Sequence, residues 1–326
     1  MSGVQVKTVS GDEAGMRLDR WFKTHFPAIR HGELEKYLRK GQVRVSGGRA
    51  KSNRRLEPGD EIRIPPLGDE PARPKPRLFS AEDQTEIRKL ILFEDDSLIA
   101  LNKPFGLAVQ GGEKTTRHLD GMLGSLEKDG ERPRLVHRLD KDTGGLMLVA
   151  KTRKAAQALS NLFKGRDIEK TYWALTAGVP RPYEGTIDLP VAKKMMRIGD
   201  GDQERVAPAD GEDAKKAMSH YQTIEDAGVV AFLAMQPVTG RTHQLRVHAA
   251  AIGCPVVGDG KYGGGAAHIE GVSPKLHLFC RSMTFPHPKT GRRMTLTAPL
   301  TGHMRETWKF FSFDTEATCA WPEDLE

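Results

Sequence analysis

The sequence predicts an α+β protein: a small basic domain, a linker, and a larger domain with a mixed, mainly antiparallel sheet. A length of 326 residues suits about two domains, of which the larger can bury a substantial core. In the second part of the chain strand patterns outnumber helical ones, hairpins recur, and strands do not alternate regularly with long helices. These three observations argue for the α+β class.

The composition excludes several classes of protein. Charged residues make up 29% of the chain, and no apolar run approaches the roughly 20 residues that cross a bilayer. The first 20 residues lack a basic segment followed by an apolar one, so we expect no secretory signal and a cytoplasmic protein. Cys254, Cys280 and Cys319 are isolated in sequence, which predicts neither a disulfide framework nor a zinc site.

The first predicted domain, residues 15–64, carries the positive charge. It holds 13 Lys and Arg against 6 Asp and Glu, which equals the net charge of +7 of the whole chain. Leu34, Tyr37 and Leu38 share one face of a predicted helix that ends at a basic pair and Gly41. Such a charge excess can be an ordinary solvated surface, but clustering on one compact unit favours phosphate binding.

Three stretches of this domain, "RLDRWF", "LRKGQVRVSG" and "LEPGDEIRI", resemble the S4 (αL-type) RNA-binding domain over about 50 residues. The resemblance implies that RNA is the ligand of the basic surface. The candidate RNA-binding residues are Arg39, Lys40, Arg54 and Arg55.

Residues 65–86 are rich in Pro and charged residues, which is typical of an extended linker. We expect a second domain over residues 87–310 and an acidic C-terminal tail over residues 311–326. The polar stretch "GDGDQERVAPADGEDAKKA", residues 199–217, is predicted to be a loop.

The stretch "VHRLDKDTGGLMLVAKT" sets a polar loop directly before an apolar strand. Such a loop can hold the carboxylate of Asp140 at the end of a sheet, where a catalytic side chain is well placed. Two alternatives stay open: a structural ion pair between Asp140 and an arginine, and a metal site shared with Asp142. The metal site is disfavoured because no third carboxylate lies nearby in sequence.

The stretch "PVTGRTHQLRVHAAAIGCPVVGDGKYG" predicts a helix capped by Thr239 or Thr242. Leu245 belongs to its apolar stripe, and Arg246 lies at the border of that stripe, from which its side chain can reach a cleft. His243 and His248 are five residues apart, whereas two ligands align on a helix at a spacing of four. Hydrogen-bonding roles are therefore favoured for both histidines.

From Ile91 to about Thr307 the chain resembles the RluA family of pseudouridine synthases, whose motifs occur in order as "EDDSLIALNKPFGLAVQGG", "HRLDKDTGGLMLVAKT", "KTYWAL" and "GRTHQLRVHAAAIGCPVVGDGKYG". The resemblance implies isomerisation of uridine to pseudouridine in RNA, with Asp140 as the catalytic aspartate. It further implies that Tyr172 stacks on the target base, that Arg246 forms a salt bridge with the catalytic carboxylate, and that Leu245 packs beneath the site. His137 and Arg138 are expected to support the loop or contact phosphate.

The S4-like domain in front makes the arrangement similar to the synthases of large-subunit rRNA. We therefore expect the partner to be RNA, namely 23S rRNA or a large-subunit assembly intermediate, and the protein to be a monomer. No metal, small-molecule cofactor or membrane is expected. The alternatives are a synthase acting on tRNA or another rRNA site, and a non-catalytic RNA-binding factor of the ribosome.

Overall fold

The computed structural model describes residues 3–29, 31–67, 79–112, 115, 117–128, 130–198, 201–319 and 321. The chain divides into two compact units, residues 1–76 and 77–326. Within the described residues no helix is both long and apolar enough to cross a membrane.

The first unit combines a small antiparallel sheet with two helices. Its elements are β1 (Gln5–Thr8), α1 (Leu18–His25), α2 (His31–Arg39), β2 (Arg44–Val45), β3 (Gly48–Arg49) and β4 (Glu61–Ile64), and the strand order is β1-β4-β2-β3. Because β1 pairs with β4 along its whole length, the unit begins well before the predicted boundary at residue 15.

The core of the first unit forms because each helix buries one apolar stripe on the sheet. Trp21 and Phe22 of α1, and Leu34 and Leu38 of α2, are buried in one cluster with strand residues such as Ile62. The helical stripe predicted for α2 is thus present. Its opposite face and its C-terminal end are left in solvent.

The second unit is built on a mixed sheet of ten strands. Its elements are α3 (Ala81–Lys89), β5 (Ile91–Glu94), β6 (Leu98–Lys103), α4 (Leu119–Met122), β7 (Arg134–Leu135), β8 (Gly144–Ala150), α5 (Arg153–Gly165), β9 (Glu169–Ala177), β10 (Glu184–Asp188), β11 (Val191–Ile198), β12 (Gly201–Pro208), β13 (Met218–Asp226), β14 (Val230–Pro237), α6 (Gln244–Ala251), β15 (Leu278–Pro286), β16 (Arg293–Thr297) and α7 (Gly302–Phe311).

The strand order is β10-β13-β14-β9-β15-β8-β6-β5, with β16 paired to β15 and β7 to β8, while β11 and β12 form a separate ribbon. Among the strand pairs of the described residues, β8 and β15 are parallel and the others antiparallel. This confirms the expected mixed, mainly antiparallel sheet.

The parallel junction requires Gly145. Its φ is +104°, and a Cβ atom there would lie 2.3 Å from the carbonyl oxygen of Cys280 on β15. Only glycine permits this approach of two backbones. Since Cys280 also pairs with Tyr172 on β9, the junction brings the start of β8 close to the start of β9.

The second unit extends beyond both ends predicted for it. Helix α3 begins inside the predicted linker, because Ser80 caps it and Ile87 is fully buried in the core. The predicted tail is anchored as well: Phe313 is buried, and Arg281 donates to the carbonyl oxygen of Thr315 at 3.0 Å. Linker residues 68–78 and tail residues 320 and 322–326 lie outside the described residues.

The predicted loop over residues 199–217 is partly wrong. Residues 201–208 form β12, which pairs with β11 from Val191↔Pro208 to Ile198↔Gly201. The polar composition of the stretch concealed the strand: Val206 is buried, but the sequence around it does not alternate between apolar and polar residues. Residues 199 and 200 lie outside the described residues.

Candidate active site

A cavity of about 520 Å³ opens where the loop before β8, the start of β9 and the start of α6 meet. That volume lies in the range of about 300–1,000 Å³ that is usual for ligand pockets. The cavity is lined by all six residues predicted from the two catalytic motifs and the strand between them, namely His137, Arg138, Asp140, Tyr172, Leu245 and Arg246.

Asp140 lies in the loop between β7 and β8, directly before the sheet. The backbone N–H of Thr143 donates to the Asp140 carbonyl oxygen at 3.2 Å, so the chain turns tightly here before it enters β8. The side chain of Asp140 is 25% exposed. It is thus held by rigid backbone yet remains reachable from the cavity.

Arg246 does not form the salt bridge expected from the resemblance. Its Nε donates to Oδ2 of Asp259 at 2.7 Å, and its Nη2 donates to Oδ1 at 2.6 Å. Asp259 is fully buried and accepts hydrogen bonds from the backbone N–H groups of Lys261 and Tyr262. These bonds fix its carboxylate in place and satisfy it without water. A buried bidentate pair of this kind takes the guanidinium away from Asp140 as a direct partner.

The charge of Arg246 still acts on the site. Hydrogen bonds and charge attraction from Asp259 raise the pKa of Arg246 against the opposing effect of burial, and the nearby Asp140 adds to the increase. Arg246 therefore supplies a permanent positive field at the cavity rather than a hydrogen bond to Asp140. Its burial has a simple cause: α6 is covered on several sides, so the position at the border of the predicted stripe is not a solvent position.

The side chain of His243 lies next to Asp140, with its Nε2 3.6 Å from Oδ2 of Asp140. His243 precedes α6 as its N-cap, in place of the predicted Thr239 or Thr242, and adopts a left-handed backbone conformation with φ of 55°. Thr239 instead donates its hydroxyl to Oε1 of Gln244 at 2.6 Å. The hydrogen-bonding role favoured for His243 is present, because its Nδ1 lies 2.6 Å from the Tyr262 hydroxyl.

Tyr172 reaches the cavity from β9. Burial is the main reason that the pKa of its hydroxyl is raised well above the usual value, and the neighbouring Cys280 and Asp140 raise it further. The phenol therefore stays protonated at neutral pH. Leu245, which is buried below the same cavity, packs in one cluster with Tyr172.

His137 and Arg138 have different surroundings in the same loop. The backbone N–H of Leu148 donates to Nε2 of His137 at 2.8 Å, and the ring stacks on Phe163. Burial, helped by the positive charge of Lys170, lowers the pKa of His137 to about 3. His137 is thus a neutral structural support for the loop, whereas the Arg138 side chain is exposed at the cavity.

Lys103 is a residue of the site that the sequence analysis missed. It is fully buried at the end of β6, and its Nζ donates to the carbonyl oxygens of Pro104 at 2.9 Å, Leu107 at 2.8 Å and Lys141 at 3.0 Å. Burial lowers its pKa to about 8, although Asp142 and Asp140 oppose the decrease. Lys103 ties the loop that contains Asp140 to the neighbouring strand through Lys141.

The basic residues predicted in the first unit divide into two kinds. Arg39 and Lys40 are exposed at the end of α2. Arg54 forms an ion pair with Asp60 at 3.3 Å, and Arg55 donates to the carbonyl oxygen of Gly15 at 2.7 Å. Two of the four candidates therefore have a role within the unit itself.

The arrangement of His, Cys, Asp and Glu side chains bears on the metal site considered for Asp140 and Asp142. In the part of the chain that the structure describes, no group of three or more His, Cys, Asp or Glu side chains is placed to hold a metal ion. Asp142 interacts with Lys103, and Asp140 with His243.

Comparison with known proteins places this geometry in a family. The RNA pseudouridylate synthase family profile matches residues 97–251. Ribosomal large subunit pseudouridine synthase C of Rickettsia prowazekii is 36% identical over 290 residues, which cover 87% of this chain and 93% of that protein. The chain belongs to the RNA pseudouridine synthase family.

Other members of the pseudouridine synthase family agree. Ribosomal large subunit pseudouridine synthase C of Escherichia coli is 32% identical over 303 residues, covering 91% of this chain and 93% of the relative. The solved structure of human RNA pseudouridylate synthase domain-containing protein 4 superposes with a TM-score of 0.58 at 28% identity, covering 70% of this chain and 96% of that one. The protein is an isomerase of uridine in RNA.

Proposed function

We propose that this pseudouridine synthase modifies uridines of 23S rRNA in the large ribosomal subunit, in the cytoplasm, with Asp140 as its catalytic carboxylate. The names of its relatives in Rickettsia prowazekii and Escherichia coli, ribosomal large subunit pseudouridine synthases C, support the substrate, since each aligns over 93% of its own length. The observation that carries the catalytic assignment is the position of Asp140: it is the carboxylate among the residues that line the cavity, whereas Asp259 lies outside that lining and binds Arg246.

The reaction explains why a carboxylate is needed. Pseudouridine forms when the bond between N1 and C1′ breaks, the uracil turns, C5 bonds to C1′, and C5 loses its proton. The carboxylate of Asp140 either attacks C1′ or removes a proton from C2′. In both cases the carboxylate must face the sugar of the bound uridine, and the side chain of Asp140, at 25% exposure, is reachable from the cavity.

The remaining residues of the cavity bind and orient the base. A uridine must leave its helix to reach Asp140, and an aromatic ring can replace the lost stacking. Tyr172 is that ring in this proposal, and Leu245 forms the apolar floor. Arg138, exposed at the cavity, contacts a phosphate or fills the gap in the RNA, while His137 keeps its structural role. We propose that the enzyme acts as a monomer.

The first unit is proposed to be an S4-like RNA-binding domain. Its two short helices packed on a twisted antiparallel sheet leave Arg39 and Lys40 in solvent. Exposed cations at the end of a helix can exchange their counterions for RNA phosphates, which would make binding salt-dependent. Arg54 and Arg55 would contact RNA only if they give up part of their bonding to Asp60 and Gly15.

Substitution of Asp140 by Asn tests the proposal. Asp140→Asn retains the size of the side chain but removes the charge, so we expect at least a 10³-fold loss of pseudouridine formation on a large-subunit rRNA transcript. RNA affinity should stay within a few-fold of wild type, because the carboxylate contributes no attraction to phosphate. Pseudouridine formation is measured by quantifying the nucleoside in digested RNA, and RNA affinity is measured by a binding titration.

The cellular substrate is found by mapping pseudouridines in 23S rRNA and in tRNA from cells without the gene, complemented with wild type or with Asp140→Asn. Sites restored by the wild type alone identify the target uridines. If the sites restored lie in tRNA, or if Asp140→Asn restores those in 23S rRNA, the proposal is wrong in its substrate or in its catalytic residue, respectively.

A further inference from the structure

His243 joins two other side chains in a line that ends at the proposed catalytic carboxylate. Its Nδ1 lies 2.6 Å from the hydroxyl oxygen of Tyr262, and its Nε2 lies 3.6 Å from Oδ2 of Asp140. The line is held at both ends, since Asp140 precedes the central strand β8 and Tyr262 donates its backbone N–H to the buried Asp259 at 3.2 Å.

The two neighbours of His243 indicate which nitrogen of its ring carries the proton. The carboxylate oxygens of Asp140 can only accept a hydrogen bond, whereas the Tyr262 hydroxyl can donate one. Burial raises the pKa of Tyr262, so its hydroxyl keeps its proton and can donate it to Nδ1. A neutral imidazole with Nδ1 as acceptor carries its hydrogen on Nε2, the atom that faces Asp140.

The backbone of His243 indicates that this orientation is imposed. Residues other than glycine rarely adopt a left-handed conformation, and here φ is 55° at the residue that begins α6. Strain at such a position persists only where the surroundings enforce it. The conformation turns the ring of His243 toward the cavity, between Tyr262 and Asp140.

We propose that His243 is a positioning residue for Asp140: neutral His243, its tautomer set by Tyr262, donates Nε2–H to one carboxylate oxygen and leaves the other oxygen for the substrate. This inference rests on the catalytic role proposed above for Asp140. The distance of 3.6 Å shortens to a hydrogen bond when the uridine fills the cavity, as catalytic hydrogen bonds often do.

Burial and the charges around His243 together determine whether its ring is protonated. Asp140 and Asp259 favour the protonated ring, whereas burial, which is the largest effect, and the cations of Arg246 and Lys261 disfavour it. The net result is a pKa below the ordinary histidine value of about 6.5. His243 is therefore neutral at neutral pH, as the proposed role requires.

Protonation should switch the arrangement off. An imidazolium has hydrogen on both nitrogens, so Nδ1 can no longer accept from Tyr262, and Asp140 becomes locked in an ion pair. The rate of the chemical step should then fall as the pH falls through the pKa of His243. A residue that only supports the fold would not produce this acid limb.

The experiment measures single-turnover rates on a large-subunit rRNA transcript with the full-length enzyme in excess, from pH 5 to 8, for wild type and His243→Asn. Asn tolerates a left-handed conformation better than most residues, which limits damage to the backbone. We expect His243→Asn to be about 10- to 100-fold slower at pH 7, to bind RNA with unchanged affinity, and to lack the acid limb.

Tyr262→Phe provides a second and milder variant. It retains His243 but removes the donor to Nδ1, so the neutral ring loses a stabilising bond and the acid limb should move to higher pH. The rate at pH 7 should fall about 3- to 10-fold. The matched controls are His268→Gln and Tyr183→Phe, at exposed positions away from the cavity, and both should behave as wild type.

A wild-type rate or an unchanged acid limb in His243→Asn would overturn the proposal, as would an effect on RNA affinity alone. If His243→Asn does not fold, an unshifted acid limb in Tyr262→Phe has the same consequence. Asp140→Asn is measured alongside: activity in that variant defeats the catalytic assignment itself, whereas its inactivity with normal pH profiles in the other variants defeats only the role of His243.

Discussion

Arg246 of the second unit lies in a different environment from the exposed cations of the first unit. In the first unit Arg39 and Lys40 are exposed, and even Arg54, which pairs with Asp60, leaves 38% of its side chain in solvent. In the second unit the side chain of Arg246 is 11% exposed and binds the fully buried Asp259 through two hydrogen bonds. The same residue type is thus free to exchange partners in one unit and committed to a single partner in the other.

This difference teaches how binding and chemistry can be separated in one chain. Exposed cations attract phosphate at little cost, because they remain hydrated until RNA arrives. Burying a guanidinium without an anion would be costly, since desolvation of an unpaired charge costs several kcal/mol. Asp259 therefore stabilises Arg246, and in doing so leaves the carboxylate of Asp140 free of a direct arginine partner.

The largest expected effect is on the free energy of unfolding, when an arginine is replaced by glutamine in each of the two units. Arg246→Gln strands the buried Asp259, so we expect the free energy of unfolding to fall by about 3–5 kcal/mol. Arg54→Gln removes a half-exposed pair, while Asp60 keeps its bonds to Ser46 and Glu57. We expect its cost to stay below about 1 kcal/mol. Chemical denaturation of the full chain measures both, and equal costs would remove the contrast on which the comparison rests.

The resemblance to the RluA family indicated which segments meet at the cavity. His137, Arg138, Asp140, Tyr172 and Leu245, from the motifs of that family, line it. The class of fold was equally accessible, since hairpins and short apolar strands leave local patterns.

Partners between distant segments could not be predicted in the same way. The stretch "GDGKYG" contains Asp259 and Tyr262, but nothing local shows that the first binds Arg246 and the second His243. Lys103 ends an apolar strand, and nothing local shows that three carbonyl oxygens enclose its ammonium group. These contacts depend on how loops fold over the end of the sheet, which the periodicity of a single segment does not encode.

Lys103 sharpens the comparison, because it is a buried cation without a bound carboxylate. Its pKa is lowered to about 8 in the folded protein, whereas an unfolded lysine keeps a value near 10.5. Between these values the unfolded chain binds the proton and the folded chain does not, so stability should rise with pH over that window.

The difference in unfolding free energy between wild type and Lys103→Met isolates this effect. We expect the wild type to gain roughly 2 kcal/mol relative to the variant from pH 8 to pH 10.5. Lys89→Met, at an exposed lysine of α3, should show no such trend and serves as the control. A flat difference for Lys103→Met would mean that the lysine is hydrated in solution, like the cations of the first unit.

The smallest expected effect lies at the exposed cations themselves. The double substitution Arg39→Gln, Lys40→Gln removes two charges that, as we propose, contact phosphates. RNA affinity should fall by about 3- to 30-fold at moderate salt, and the slope of log affinity against log salt should decrease by about 1–2. The single-turnover rate at saturating enzyme should not change, since neither residue belongs to the cavity.

A matched pair in the second unit makes this last test decisive. Arg153 and Lys154 are neighbouring exposed cations at the start of α5, so their double substitution by Gln removes the same charge from the other unit. If that pair lowers the affinity and the salt slope as much as the pair at the end of α2 does, RNA attraction is a property of the total charge. A loss confined to Arg39 and Lys40 instead assigns phosphate binding to the first unit, because equal charges in unequal places would then have unequal effects.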